Sequence, residues 1–236
     1  MEIEIGRGKK ARRAYGFDDV AIVPSRRTRD PDDVDITWTL GPYRLELPLL
    51  ASAMDGVVSP ETAGILGKLG GLGVLNLEGI WTRYEDADEI LERIAGLPKD
   101  EATREMQEIY QEPVKEELIA QRIQEIKAGG GVACASLTPQ RVERYAKHVL
   151  DAELDVLVIQ GTVVSAEHVS KTAEPLNLKK FIREFEVPVV VGGCASYSTA
   201  LHLMRTGAVG ILVGVGPGHA CTSRGCLLYT SDAADE

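Results

Sequence analysis

No run in the sequence approaches the roughly 18 uninterrupted apolar residues of a membrane span, and the opening residues, Met1 to Gly16, lack the apolar stretch of a secretory leader. Base is also in short supply. Twenty-six Lys and Arg face 36 Asp and Glu, leaving a net charge of −10, so the basic face that nucleic-acid recognition requires is missing. Only four cysteines occur, Cys134, Cys194, Cys221 and Cys226, at wide and irregular spacing that fits neither a disulfide framework nor a zinc pattern. His168 and His202 have no partner at metal-ligand spacing. These absences predict a protein of the reducing cytoplasm with no membrane and no nucleic-acid partner.

What is present is ordinary globular material: 236 residues, 44% hydrophobic and 26% charged, enough for one large domain or two small ones. Six short apolar runs recur, Leu49–Met54, Gly73–Asn76, Val132–Ser136, Asp155–Gln160, Val187–Val191 and Gly210–Gly214. The last four are near-continuous rather than alternating, the mark of parallel strands covered on both faces. Helical spacing fills the intervals Pro60–Leu69, Pro139–Ala152, Leu176–Phe185 and Ser198–Thr206. Ser59-Pro60 and Thr138-Pro139 read as N-cap plus first-turn proline, and Gly207 as a helix-ending glycine.

Alternating strands and helices predict βαβ units on a parallel sheet. The turn after the first run, Asp55-Gly56-Val57-Val58, is not the glycine fingerprint of a doubly wound dinucleotide fold. Polar residues stand instead at the ends of many strands: Ser52, Asp55, Asn76, Ser136, Gln160, Cys194 and, past the sixth, Cys221. That distribution favours a (β/α)8 TIM barrel, truncated after about the sixth strand. Residues 82–127 carry thirteen acids and seven bases and read as a solvated helical excursion divided by Pro98 and Pro113. Within it, Ile119, Ile123 and Ile126 share one helix face. The final eleven residues, Cys226 to Glu236, break the pattern and match the translation of a sequencing-library adapter. The expected organisation is therefore a partial barrel over 1–225 and a non-native tail over 226–236, with the natural gene continuing.

The densest chemistry lies in Gly214-Val215-Gly216-Pro217-Gly218-His219-Ala220-Cys221-Thr222-Ser223-Arg224. Three glycines in five residues let a backbone approach a ligand or ion closely, and the thiol that follows is the best side-chain nucleophile at neutral pH. Read alone, the loop fits either a nucleophile or a glycine-rich barrel loop with an incidental thiol.

This loop resembles the active-site loop of the inosine-5′-monophosphate (IMP) dehydrogenase and GMP reductase family. Three more segments extend the resemblance in the family's order: Phe17-Asp18-Asp19-Val20 through Pro24, Ser52-Ala53-Met54-Asp55, and Gly70-Gly71-Leu72-Gly73. It implies a (β/α)8 barrel and NAD-dependent oxidation of IMP to XMP. Cys221 would be the nucleophile, and Ser223 would stand in for a water-positioning threonine. Backbone carbonyls of Gly216, Gly218 and Cys221 would hold a potassium ion, as hard cations prefer oxygen ligands. Ser52 and Met54 would line the pocket for a purine nucleotide monophosphate. The full-length form would be a homotetramer.

The departures from the family pattern are equally specific. Gln160, with Thr162 nearby, stands where an aspartate contacts the cofactor ribose. Cys194 replaces a loop asparagine on the substrate side, Leu212 a basic residue, and His219 a phosphate-holding serine. Each lost polar contact costs about 1–3 kcal/mol. The pattern is closest to a subfamily of IMP dehydrogenase-related proteins without CBS domains, for whose paired modules residues 82–127 are too short. The family's flap and later phosphate loops would lie beyond Gly225, so the chain as written is expected to be inactive and poorly folded, with unpaired strand edges. Two rivals stay open: NADPH-dependent GMP reductase, and a nucleotide-binding regulator without turnover.

Overall fold

The computed structural model describes residues 2–12, 20–24, 26–161, 164 and 176–215. It divides into two compact units, residues 1–36 with 214–236, and residues 37–213. In the first, strands β1 (Glu2–Gly6) and β2 (Lys9–Arg12) pair antiparallel, and Pro31–Asp33 forms a single 3-10 turn.

The second unit holds a six-stranded sheet of β5 (Leu50–Ala51), β6 (Leu72–Asn76), β7 (Cys134–Leu137), β8 (Val156–Gln160), β9 (Val189–Cys194) and β10 (Gly210–Val213). Every pairing is parallel, and the spatial order follows the chain from β5 to β10 without reversal. A doubly wound sheet must reverse its order at a switch point. Sequential order gives the curled sheet of a (β/α) barrel, of which six strands are present. All six apolar runs of the sequence thus become strands, although only Leu50–Ala51 of the first run pairs.

Helix α1 (Pro60–Lys68) begins as its sequence dictates. Ser59 Oγ accepts from the Thr62 N–H at 3.0 Å, Thr62 Oγ1 accepts from the Ser59 N–H at 2.7 Å, and Pro60 fills the first turn. Helices α2 (Ala87–Ala95), α3 (Lys99–Ile109) and α4 (Glu116–Ala128) lie between β6 and β7. Pro98 and Pro113 separate them, as their missing N–H groups require. α5 (Val142–Asp151) starts three residues later than the Thr138-Pro139 signal predicts, because the Thr138 carbonyl closes a separate turn with the Arg141 and Val142 N–H groups. α6 (Leu178–Glu184) is capped by Asn177, and α7 (Tyr197–Met204) by Ser196. Gly207 follows α7 at φ +100°, where glycine is favoured.

Residues 82–127 are not uniformly solvated. Ile119, Ile123 and Ile126 of α4 are fully buried in the main core, Leu118 is buried as well, and α4 packs beside both α1 and α5. α4 is thus the barrel helix of its βα unit, its charges on the outer face except for the buried Arg122. The excursion proper is α2 and α3.

The two faces of the sheet bury different sets. Leu75, Ala135, Leu137, Leu157, Ile159 and Val191 face the helices. Leu72, Val74, Cys134, Val156, Val158 and Val190 form an inner core with Leu40 and Leu45. Those two leucines come from a hairpin, β3 (Trp38–Leu40) and β4 (Tyr43–Leu45), which the sequence reading missed. Tyr43 donates to Asp155 Oδ1 at 3.1 Å, beside the start of β8, and Asp155 Oδ2 accepts from the Ala133 N–H at 2.8 Å. The hairpin therefore packs at the N-terminal end of the strands. The polar strand ends collect at the other.

Candidate functional site

That C-terminal end carries Ser52, Met54, Asn76, Ser136 and Gln160. Ser52 follows β5 directly, and its carbonyl accepts from the Met54 N–H at 2.8 Å. The Met54 carbonyl in turn accepts from the N–H groups of Val57 and Val58 at 2.9 and 3.0 Å. This tight turn leaves the Met54 side chain 53% exposed, an apolar surface beside polar strand ends. Gln160, the last residue of β8, is exposed, and its neutral carboxamide can meet a sugar hydroxyl.

Asp55 is the residue whose setting the sequence did not foretell. Its side chain is only 9% exposed, yet it is a carboxylate. Oδ2 accepts from the Ile80 N–H at 3.1 Å and from the Tyr110 hydroxyl, while its backbone carbonyl accepts from the Trp81 indole at 3.2 Å. Oδ1 is buried without a partner among the described residues. Burial raises the Asp55 pKa above 3.8, partly offset by the Tyr110 and Ile80 hydrogen bonds and by the nearby Arg83 charge. A side chain at Gly79 would overlap this carboxylate, so glycine is required there.

Glu78 braces the next two loops. Its N–H donates to Asn76 Oδ1 at 3.0 Å, its Oε1 accepts from the Thr138 N–H at 2.6 Å, and its Oε2 lies 3.3 Å from Arg141. The loops after β6 and β7 are thereby held to one another. A lone glutamate after a strand gives no such signal in sequence.

Cys194 is the residue expected on the substrate side. It ends β9 but is only 1% exposed, lies in the helix-side core and donates weakly to the Leu212 carbonyl at 3.6 Å. Burial pushes its pKa up. The strands β9 and β10 approach so closely here that a Cβ at Gly192 would collide with Leu212. The Cys194 thiol thus packs against β10 at the end of β9. Cys221, Ser223, Gly216, Gly218 and Thr162 lie outside the described residues, so the nucleophile, the potassium carbonyls and one cofactor contact have no geometry here. Among the described residues no group of acids, cysteines and histidines could hold a metal ion, and no helix is long and apolar enough to cross a membrane.

Comparison with known proteins follows the same lines. Residues 14–227 match the model of the IMP dehydrogenase / GMP reductase domain. An uncharacterized oxidoreductase of Mycolicibacterium smegmatis is 45% identical over 219 residues, which cover 91% of this chain and 58% of that protein. An inosine-5′-monophosphate dehydrogenase of Methanocaldococcus jannaschii is 25% identical, over 91% of this chain and 61% of its own. The crystal structure of an IMP dehydrogenase/GMP reductase-like protein from Corynebacterium glutamicum superposes with a TM-score of 0.85 at 45% identity, over 91% of this chain and 58% of that one. The chain thus spans about three-fifths of the length of these relatives.

Proposed function

The chain belongs to the IMP dehydrogenase / GMP reductase family, and on that premise we propose that its full-length form is a purine nucleotide oxidoreductase that oxidises IMP to XMP with NAD. The observation that carries this reading is the family match over residues 14–227, which takes in Cys221 and its glycine loop.

In this mechanism the Cys221 thiolate adds to C2 of the purine base and holds it while C2 gives up a hydride. Water then attacks the resulting thioimidate, the carbon–sulfur bond breaks, and XMP departs with the thiol restored. Ser223 orients that water. Ser52 and Met54 seat the nucleotide, the exposed thioether of Met54 offering polarisable surface to a flat base. Gln160 and Thr162 would hold the cofactor ribose through neutral hydrogen bonds. When bound, the nicotinamide supplies the hydride acceptor. Backbone carbonyls of Gly216, Gly218 and Cys221 would hold a potassium ion, which would steady the loop carrying the thiol.

A reading without turnover has its own support. Leu212 is apolar, and the Cys194 thiol is buried, where relatives of the resembling pattern carry polar contacts. The test is to assay the full-length protein with IMP plus NAD, and separately with GMP plus NADPH. NADH and XMP formation abolished by Cys221→Ala, with a Cys221 adduct by mass spectrometry, is the expected result. Turnover only with GMP and NADPH identifies a reductase. Nucleotide binding with no hydride transfer and no adduct overturns both catalytic readings.

A further inference from the structure

We infer that Tyr110, at the end of the helical excursion, is a positioning residue for the nucleotide: acting through Asp55, it fixes the Ser52–Met54 turn. The inference rests on the oxidoreductase reading above, which makes that turn part of the nucleotide site. Tyr110 acts without touching the ligand.

The end of α3 is tied to the segment that follows β6. The Tyr84 hydroxyl donates to the Ile109 carbonyl at 3.0 Å, and Arg83 Nη1 donates to the Glu112 carbonyl. The Lys115 N–H donates to the Thr82 carbonyl at 2.8 Å. Arg83 is itself anchored, with Nε and Nη2 donating to the Glu78 carbonyl at 3.2 and 2.9 Å. Its guanidinium lies over the Tyr110 ring. The phenol thus reaches Asp55 from a backbone that swings away only by breaking these bonds.

Asp55 depends on that donor. Its Oδ1 is buried with no partner among the described residues, against Gly79, where even a Cβ would overlap it. All the compensation for the buried carboxylate therefore falls on Oδ2, which accepts from the Ile80 N–H and the Tyr110 hydroxyl. Deleting the hydroxyl leaves one donor and favours turning Asp55 out to water. Asp55 directly follows Met54, whose carbonyl accepts from the Val57 and Val58 N–H groups. A turned Asp55 therefore loosens those two bonds and displaces the exposed Met54 side chain that faces the base.

The test uses the full-length protein with Tyr110→Phe, Asp55→Asn, both together, and Tyr43→Phe. Tyr43→Phe is the control, because it deletes the same kind of bond, Tyr43 to Asp155, at the opposite end of the strands. IMP is titrated calorimetrically into each without cofactor. Amide exchange at Val57 and Val58 and the melting temperature are followed without ligand. Tyr110→Phe is expected to weaken IMP roughly tenfold and to speed exchange at Val57 and Val58. In the Asp55→Asn background it weakens IMP by less than about threefold, because a neutral amide needs the second donor less than a charge does. Tyr43→Phe lowers the melting temperature and leaves IMP affinity unchanged. Unchanged IMP affinity or unchanged exchange in Tyr110→Phe overturns the inference, since the tyrosine then only holds a helix. Equal weakening with and without Asp55→Asn overturns the route through Asp55, and equal weakening by Tyr43→Phe reduces the effect to general destabilisation and overturns it as well. Failure of the unsubstituted protein to bind IMP overturns the oxidoreductase reading itself, and the inference with it.

Discussion

Tyr110, at the end of α3, donates its hydroxyl proton to Oδ2 of Asp55, 55 positions earlier and next in sequence to Met54. The helical excursion is thereby fastened to the first strand-end turn, the one that presents Ser52 and Met54. The Arg83 guanidinium lies 5.4 Å from the Tyr110 ring centre, and its charge partly offsets the rise in the Asp55 pKa. Burial and the Asp55 hydrogen bond together push the Tyr110 pKa upward, so the phenol stays protonated and remains a donor throughout the physiological range.

The raised Asp55 pKa has a definite sign in stability. The native state binds this proton more tightly than the unfolded chain does. The contribution is therefore full below pH 3.8 and is lost as pH rises through the native value. Asp55→Asn keeps an acceptor for Ile80 and Tyr110 while deleting the charge. Urea unfolding of the full-length form from pH 4 to 8 should show the wild type losing stability relative to Asp55→Asn as pH rises, with the variant ahead by about 1 kcal/mol at neutrality. A constant difference across that range would show that Asp55 is not a buried charge.

Gly67 of α1 sets helix propensity against packing. Alanine is ordinarily about 1 kcal/mol better than glycine inside a helix. A Cβ at Gly67, however, would lie 2.5 Å from the Gly131 Cα, a backbone atom that cannot withdraw cheaply. Overpacking of that kind costs about 1–3 kcal/mol. Gly67→Ala should lower stability by about 1 kcal/mol or more. Gly96→Ala, whose Cβ would meet nothing closer than 3.6 Å, should be tolerated. A stabilised Gly67→Ala variant would mean that α1 stands off from Gly131.

Strand identity was legible in the sequence because continuous apolar runs such as Val156–Ile159 and Val189–Val191 have no other soluble use than a sheet covered on both faces. The capping box at Ser59 was legible because capping chemistry is local. What failed to show was non-local. The acids of α4 outweigh its four apolar core residues in any charge count, although only the apolar stripe decides where the helix docks. Asp55 reads as a polar strand end until Tyr110 arrives from another helix. The burial of Cys194 at the end of β9 is equally non-local, since its thiol meets the Leu212 carbonyl of the neighbouring strand. The β3–β4 hairpin has too few residues to leave a periodic signature.

The Ser59–Thr62 box connects the Met54–Val58 turn to α1 by two reciprocal hydrogen bonds. Ser59→Ala should cost about 1 kcal/mol by leaving the Thr62 N–H without its cap. Ser59→Asp, which restores an acceptor beside a helix N-terminus, should recover most of that loss. The comparison of unfolding midpoints separates a cap from a mere packing contact, since an aspartate that failed to rescue would exclude the capping role.

Arg122 is the buried charge on which the excursion turns. Its Nε donates to the Trp81 carbonyl at 3.0 Å, its Nη2 to the carbonyls of Tyr84 and Glu85 at 3.2 and 2.9 Å, and its Nη1 to Glu125 at 3.0 Å. The guanidinium also lies 5.7 Å from the Trp81 ring centre. Three carbonyls that no helix or strand satisfies are thus gathered by one fork-shaped donor. Lysine has a single point of charge and cannot span them. Arg122→Met should cost about 3–5 kcal/mol, because it strands buried acceptors and removes the ion-pair partner of Glu125. Arg122→Lys should recover only part of this. The same fork fixes the 80–85 turn whose Ile80 N–H and Trp81 indole hold Asp55, so Arg122→Lys should also flatten the pH-dependent difference between wild type and Asp55→Asn. If lysine instead restored full stability with that pH dependence intact, the carbonyls would have found other donors and Arg122 would be replaceable by any cation.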